Sequence, residues 1–107
     1  MIVRITRASI KANHEATVFQ ILREASAATP RPDGLEAMLI SRRMGDGSDE
    51  LVAITIWRDI DVLIATMGEG WHAPSFLPRL DPMLIEPSVE HYETIAENWD
   101  ELQKLGA

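Results

Sequence analysis

Apolar and polar positions alternate along the first ten residues. Val3 and Ile5 alternate with Arg4 and Thr6, and Ala8 and Ile10 continue an apolar face after a switch. Alternation carried by β-branched residues predicts a strand over 1–10. The period then lengthens. From His14 to Ala28, the residues Val18, Ile21, Leu22, Ala25 and Ala28 recur at three- and four-residue spacings, which predicts a helix with one apolar stripe. Asn13 is placed to cap it through its side-chain oxygen, with Glu15 in the first turn beside the positive helix end. Pro30 and Pro32 stop it, since each lacks an amide donor and biases its predecessor toward extended backbone.

A second strand is predicted from Leu35 to Arg43, with Leu35, Ala37 and Leu39 on one face and Met38 and Ile40 on the other. Both faces are partly apolar, so something should cover each. The cluster Gly45-Asp46-Gly47-Ser48-Asp49 is a turn leading into a third strand, Leu51 to Trp57, in which Val52, Ile54 and Ile56 alternate with Ala53, Thr55 and Trp57. Two such runs around a short Gly/Asp loop form a β-hairpin. Asp59 caps a short helix carrying Ile60, Leu63, Ile64 and Met67, closed by Gly68. From Glu69 to Pro87 the prolines 74, 78, 82 and 87 forbid one long helix, while Trp71, Phe76, Leu77, Leu80, Met83 and Leu84 demand burial. Short helical turns folded over a hydrophobic surface meet both demands. A fourth strand follows from Ser88 to Ile95, and a terminal helix from Asn98 to Leu105.

The order β-α-β-β-α-β is a split βαβ pattern, an α+β, ferredoxin-like fold with one four-stranded antiparallel sheet and both helices on one face. Length fits one domain over 1–107, with residues 1–95 as its core and 96–107 as a tail helix. The helix-free sheet face is an open apolar surface, and face-to-face pairing of two sheets would bury it. A homodimer through the sheet faces is therefore expected, the more so because a chain this short buries only roughly 60–65% of its unfolded surface.

Composition narrows the function classes. The 107 residues are 46% apolar and 25% charged, normal for a globular chain, with no cysteine for a disulfide or thiolate metal site. A formal charge of −7 argues against nucleic acid as a partner. Arg4 interrupts the first apolar run, so no signal peptide is visible, and no window approaches the ~18 apolar residues of a spanning helix. A cytoplasmic protein with no membrane partner is expected. Residues 1–43 carry seven Lys/Arg against four Asp/Glu, and residues 44–107 three against thirteen. Two halves of opposite sign attract within one fold or across a dimer; a solvated acidic surface is the plainer reading.

Several side chains are candidates for chemistry. Trp71-His72 lies between the Gly68/Gly70 pair and Pro74, so a glycine-hinged lid bearing Trp71 and Phe76 would close over an aromatic ligand. His72 is the candidate general base, since an imidazole accepts a phenol proton near neutral pH. The plainer reading is an exposed loop histidine beside a packing tryptophan. His91 and Tyr92 sit on opposite faces of the fourth strand, so only one faces a given cavity. Tyr92 is the one taken as a candidate catalytic residue, its hydroxyl orienting a ligand, against the alternative of an interface tyrosine. Arg4, Thr6, Glu36 and Arg42 are polar strand residues. Inward-facing charges would be costly unpaired, so Arg4 or Arg42 should meet Glu36 or a ligand anion, with Arg42 taken as the ligand contact. Strand-edge placement with solvated heads is the alternative. The three histidines, His14, His72 and His91, lack metal-ligand spacing, and no bound metal or cofactor is expected.

The order of elements, the length and the junction Ile56-Trp57-Arg58-Asp59-Ile60-Asp61-Val62-Leu63 resemble the dimeric α/β-barrel proteins, and within them the antibiotic biosynthesis monooxygenase-like domain. The resemblance covers residues 1–95. It implies a dimer and, for the oxygenase members, deprotonation of an electron-rich quinol- or anthrone-like substrate that then reacts with dioxygen without metal or flavin. The haem-degrading branch wants Asn late in strand one, Trp on helix two and His about ten residues later. The ungapped register puts Arg7, Thr66 and Phe76 there, and none matches; the nearest imidazole, His72, lies four residues early. The leading expectation is a cofactor-independent monooxygenase-like protein acting on a small aromatic molecule. The alternatives are a non-catalytic small-molecule-binding dimer and a structural dimer whose pocket is filled by its own Trp and Phe side chains.

Overall fold

The computed structural model describes residues 1–45, 47 and 49–106. Strands β1 (Ile2–Ile10), β2 (Leu35–Arg42), β3 (Glu50–Trp57) and β4 (Leu84–Glu93) form one antiparallel sheet in the order β2-β3-β1-β4. Helices α1 (Glu15–Ala28) and α2 (Ile60–Met67) make the two crossovers, and a short α3 (Trp99–Lys104) follows β4. This is the ferredoxin-like α+β architecture. Both crossovers join parallel strands, and right-handed connections put their helices on the same side of the sheet.

Pairing in register puts β1 residues Arg4, Thr6 and Ala8 on the helix side, opposite Thr55, Ala53 and Leu51. There is no switch of face along β1. All of Arg4, Thr6, Ala8 and Ile10 are buried, so the expected change of apolar face gives way to one continuous buried face that starts polar and ends apolar. The core gathers at its apolar end, where Ile10 and Leu51 of the sheet meet Val18 and Ile21 of α1 and Leu80 of the proline-rich segment.

Local signals acted mostly as their chemistry requires. Asp59 caps α2, its carboxylate accepting from Val62 N at 2.8 Å, and Gly68 ends it with a positive φ of 79°. Asn98 caps α3 by accepting from Glu101 N at 2.9 Å. Asn13 does not cap α1: it lies in the left-handed region (φ 68°), which asparagine tolerates, and His14 holds the cap position without a side-chain bond to the helix amides. Gly34 is required on two counts, a φ of 84° and an added Cβ that would come within 2.2 Å of Val62 Cγ1. The segment before β4 forms two 3-10 turns, Glu69–His72 and Pro78–Met83. In the hairpin turn, Asp46 and Ser48 lie outside the described residues; Arg43 N donates to Glu50 O at 3.1 Å just before it.

The largest correction concerns β4, which begins at Leu84, four residues before the predicted Ser88. Pro87 is accommodated because β4 is an edge strand. The register slips there, Arg7 facing Ser88 but Ser9 facing Ile85, with Glu86 at a φ of 53°. The strand is therefore a bulged one, and the bulge absorbs the proline. A second irregularity falls at Glu36 in β2, between Leu35 and Ala37.

The helix-free face carries Leu39, Ile54 and Ile5 in one cross-strand row and Ala37, Ile56, Val3 and Tyr92 in the next. It is a broad apolar surface open to solvent in the single chain, bordered by the Arg7–Glu90 ion pair at 2.9 Å.

Candidate functional site

On the helix side, one cross-strand row reads Met38, Thr55, Arg4, His91 and the next reads Ile40, Ala53, Thr6, Val89. The 3-10 turn Glu69–His72 follows α2 and reaches over this row. Trp71 meets the His91 ring edge-on at 5.0 Å between centroids, and the His72 ring at 5.7 Å. Beside them the cover is incomplete. Met38 and Ile40 face the helix side yet remain 51% and 40% exposed, so the floor is uncovered toward β2.

Arg4 is the centre of this arrangement and only 4% exposed. Its Nη1 donates to Thr6 Oγ1 at 2.6 Å, and its Nη2 faces the carbonyl oxygens of Ala73 (2.9 Å) and Trp71 (3.4 Å) and Ser75 Oγ (3.4 Å). Its Nε is buried with no partner among the described residues. Burial pulls its pKa downward, but a guanidinium stays protonated at any physiological pH. His91 is likewise buried at Nε2 without a partner there. Burial first, then the positive charges of Arg4 and His72, hold its pKa below the usual imidazole range. The floor thus combines a fixed cation with an imidazole whose pKa is held low and whose buried Nε2 has no partner among the described residues. Thr55 Oγ1 beside them accepts from Trp57 Nε1 at 2.9 Å, which anchors that buried indole.

The expected site residues are only partly brought together. Trp71 and His72 share the turn over the Arg4–His91 row, with His72 exposed. Phe76 packs against the core cluster of α1 and the sheet, where it holds the lid's far half down. Tyr92 projects from the opposite, helix-free face, its hydroxyl donating to Glu90, so it shares no pocket with His72 within one chain. Arg42 pairs with Glu15 at the start of α1, and neither it nor Arg4 bonds Glu36. Arg42 does line an open hollow of about 370 Å³ with Arg43, Met44, Gly45 and Asp49, and a second hollow of about 400 Å³ lies between Arg31 and Arg58. Both are surrounded by charged, solvated side chains and contain no aromatic residue, so neither suits an aromatic ligand.

The alternation of His91 with Tyr92 was visible in the sequence, but only the pairing of β4 with β1 puts His91 opposite Arg4. Among the described residues, no group of three or more His, Asp or Glu is placed to hold a metal, and no helix is long and apolar enough to cross a membrane. The positions that the haem-degrading pattern specifies are not filled by its residue types. Arg7 lies on the far sheet face, Thr66 is an exposed residue of α2, and Phe76 offers no nitrogen.

No family model and no curated protein matches the chain. Solved structures do. A candidate antibiotic biosynthesis monooxygenase from Deinococcus radiodurans superposes with a TM-score of 0.70 at 19% identity, over 92% of this chain and 96% of that one. This chain has the antibiotic biosynthesis monooxygenase fold. SnoaB, a cofactor-independent oxygenase from Streptomyces nogalater, is similar at TM-score 0.67 and 18% identity, over 90% and 94% of the two chains. MhuD, a heme-degrader from Mycobacterium tuberculosis, is similar at 0.68 and 15%, over 92% and 100%. These proteins differ in the reactions their names give, so the shared fold alone does not assign a reaction to this chain.

Proposed function

We propose that this protein is a cofactor-independent oxygenase of a small aromatic molecule bound in the cleft beneath Trp71. The observation that carries the reading is the juxtaposition of buried Arg4 and the buried Nε2 of His91 in one cross-strand row, under an aromatic turn. His91 is neutral and takes the proton of a phenol or enol hydroxyl at Nε2. Arg4 stabilises the resulting anion through its positive charge in a poorly solvated site. The anion gives an electron to dioxygen, and the two radicals combine to a peroxide at the ring carbon. Loss of water from an anthrone-type CH₂ centre then leaves a carbonyl, so one dioxygen yields one quinone oxygen and one water. Trp71 and the apolar walls of Met38 and Ile40 hold the ring and exclude water.

The helix-free face supports a second element of the proposal, a homodimer formed by stacking two sheets through Ile5, Ile54, Ile56 and Leu39. Tyr92 and the Arg7–Glu90 pair would then lie at its rim.

Mixing the protein with a reduced anthrone under air tests the activity. The proposal expects oxygen uptake and quinone formation in equal amounts. Thermal stabilisation by the ligand with no oxygen uptake would instead identify a binding domain; ligand at ~100 times its dissociation constant adds ~2.7 kcal/mol.

A further inference from the structure

A buried cation ordinarily sits beside a buried anion, because desolvation costs several kcal/mol per ion. The ion pairs among the described residues are surface ones: Arg7 with Glu90, Arg42 with Glu15, Arg58 with Asp59, Arg79 with Glu24. Arg4 is far more buried than any arginine in those pairs and has no carboxylate partner among the described residues. Three of its four acceptors belong to the flap, the carbonyls of Trp71 and Ala73 and the hydroxyl of Ser75, and all three crowd one nitrogen. That nitrogen has two hydrogens to give, and two of the three contacts are long at 3.4 Å. The Nε hydrogen has no acceptor among the described residues. The flap oxygens are partial dipoles standing where a full negative charge would sit, and charge-assisted bonds are roughly twice as strong as neutral ones.

We infer that the ligand of this cleft is an acid: a planar aromatic compound whose ionised carboxylate or vinylogous-acid oxygen replaces the flap oxygens on Arg4. Anion binding and release of the Trp71–Ser75 flap are then one event. The inference rests on the cleft proposed above and names its substrate class, a hydroxyaromatic acid in place of a neutral quinol. Its carboxylate bonds the flap-facing nitrogen of Arg4, whose Nε, unpartnered among the described residues, remains for the oxygen that His91 deprotonates.

The test compares 2-naphthoate with 2-naphthalenemethanol, a neutral analogue of similar shape, by calorimetry on the full chain. The naphthoate should bind about tenfold tighter or more, from the strength of charged hydrogen bonds. Amide hydrogen exchange in the Trp71–Ser75 flap should rise with naphthoate and not with the alcohol. Arg4→Lys should keep the preference and Arg4→Gln should abolish it. Ser75→Ala, which removes one long flap contact to Arg4 and leaves the cation itself in place, should tighten naphthoate binding and keeps the test decisive if Arg4→Gln does not fold. Equal affinities, failure of both probes to bind, unchanged exchange, or a preference that survives Arg4→Gln would each overturn the inference. Oxygen uptake with a neutral anthrone alongside equal affinities would retain the oxygenase and remove only the acid.

Discussion

Replacing Ile54 by lysine separates the sheet-stacked dimer from a lone chain. Ile54 lies at the centre of the helix-free face, between Ile5 and Leu39 in its row and beside Ile56 and Val52 along its strand. In a single chain it is already partly exposed, so the substitution should cost little, within about 0.5 kcal/mol for a surface change. In a two-fold interface each substitution counts twice. Burying one isoleucine side chain contributes about 1.5–3 kcal/mol, so the dimer should lose about 3–6 kcal/mol and its dissociation constant should rise about 10²- to 10⁴-fold. Two lysines brought together across the axis add repulsion in the same direction. Sedimentation equilibrium over a micromolar range reads the change directly, with urea unfolding of the monomer as the control. A wild-type chain that sediments as a monomer at tens of micromolar, or an Ile54→Lys variant that dimerises as tightly as wild type, would refute the stacking.

Leu80 is completely buried and ties the lid's second turn to Val18, Ile21 and Leu51, so Leu80→Ala should cost about 2–5 kcal/mol in urea unfolding. A loss under 1 kcal/mol would mean that the turn is not part of the core. Gly34→Ala forces a Cβ into Val62 at a left-handed backbone position and should destabilise by about 1–3 kcal/mol; an unchanged melting temperature would contradict that packing. His91 has a lowered pKa in the folded chain, so the unfolded chain takes up the proton first on acidification. Its contribution to stability is therefore full above the ordinary imidazole range and declines as pH falls from there toward the lower folded value. Urea unfolding at pH 7.5 and 5 should show this loss reduced in His91→Gln; an identical pH slope in the variant would show that His91 titrates normally.

The fold was legible because the strand and helix periods differ and because the breakers sit at element ends. Asp59 and Gly68 bracket α2 as their chemistry requires, and the Gly/Asp cluster separates β2 from β3. The start of β4 was hidden by Pro87. A proline marks a break in a sequence, yet an edge strand with a bulge accommodates one. The site was less legible than the fold. Alternation along β1 divides Arg4 and Thr6 from Val3 and Ile5 without saying which set the helices cover, and the polar set is the buried one. The glycine-hinged lid directed attention to His72. The imidazole that lies opposite Arg4 comes from a strand 87 positions later, and only sheet register brings them together. Phe76 was recognised as a residue needing burial, but whether it lines a ligand space or fills the core depends on packing against α1.

The central claim is that His91 takes the substrate's proton under the Trp71 flap, and single-turnover oxygen consumption with a reduced anthrone at pH 7.5 tests it most directly. Loss of a general base costs about 10²- to 10⁴-fold in rate. His91→Gln should therefore slow uptake by at least about a hundredfold on that scale, while His72→Ala leaves it within a few-fold of wild type. Uptake that is untouched in His91→Gln but abolished in His72→Ala would move the base to the flap and contradict the account.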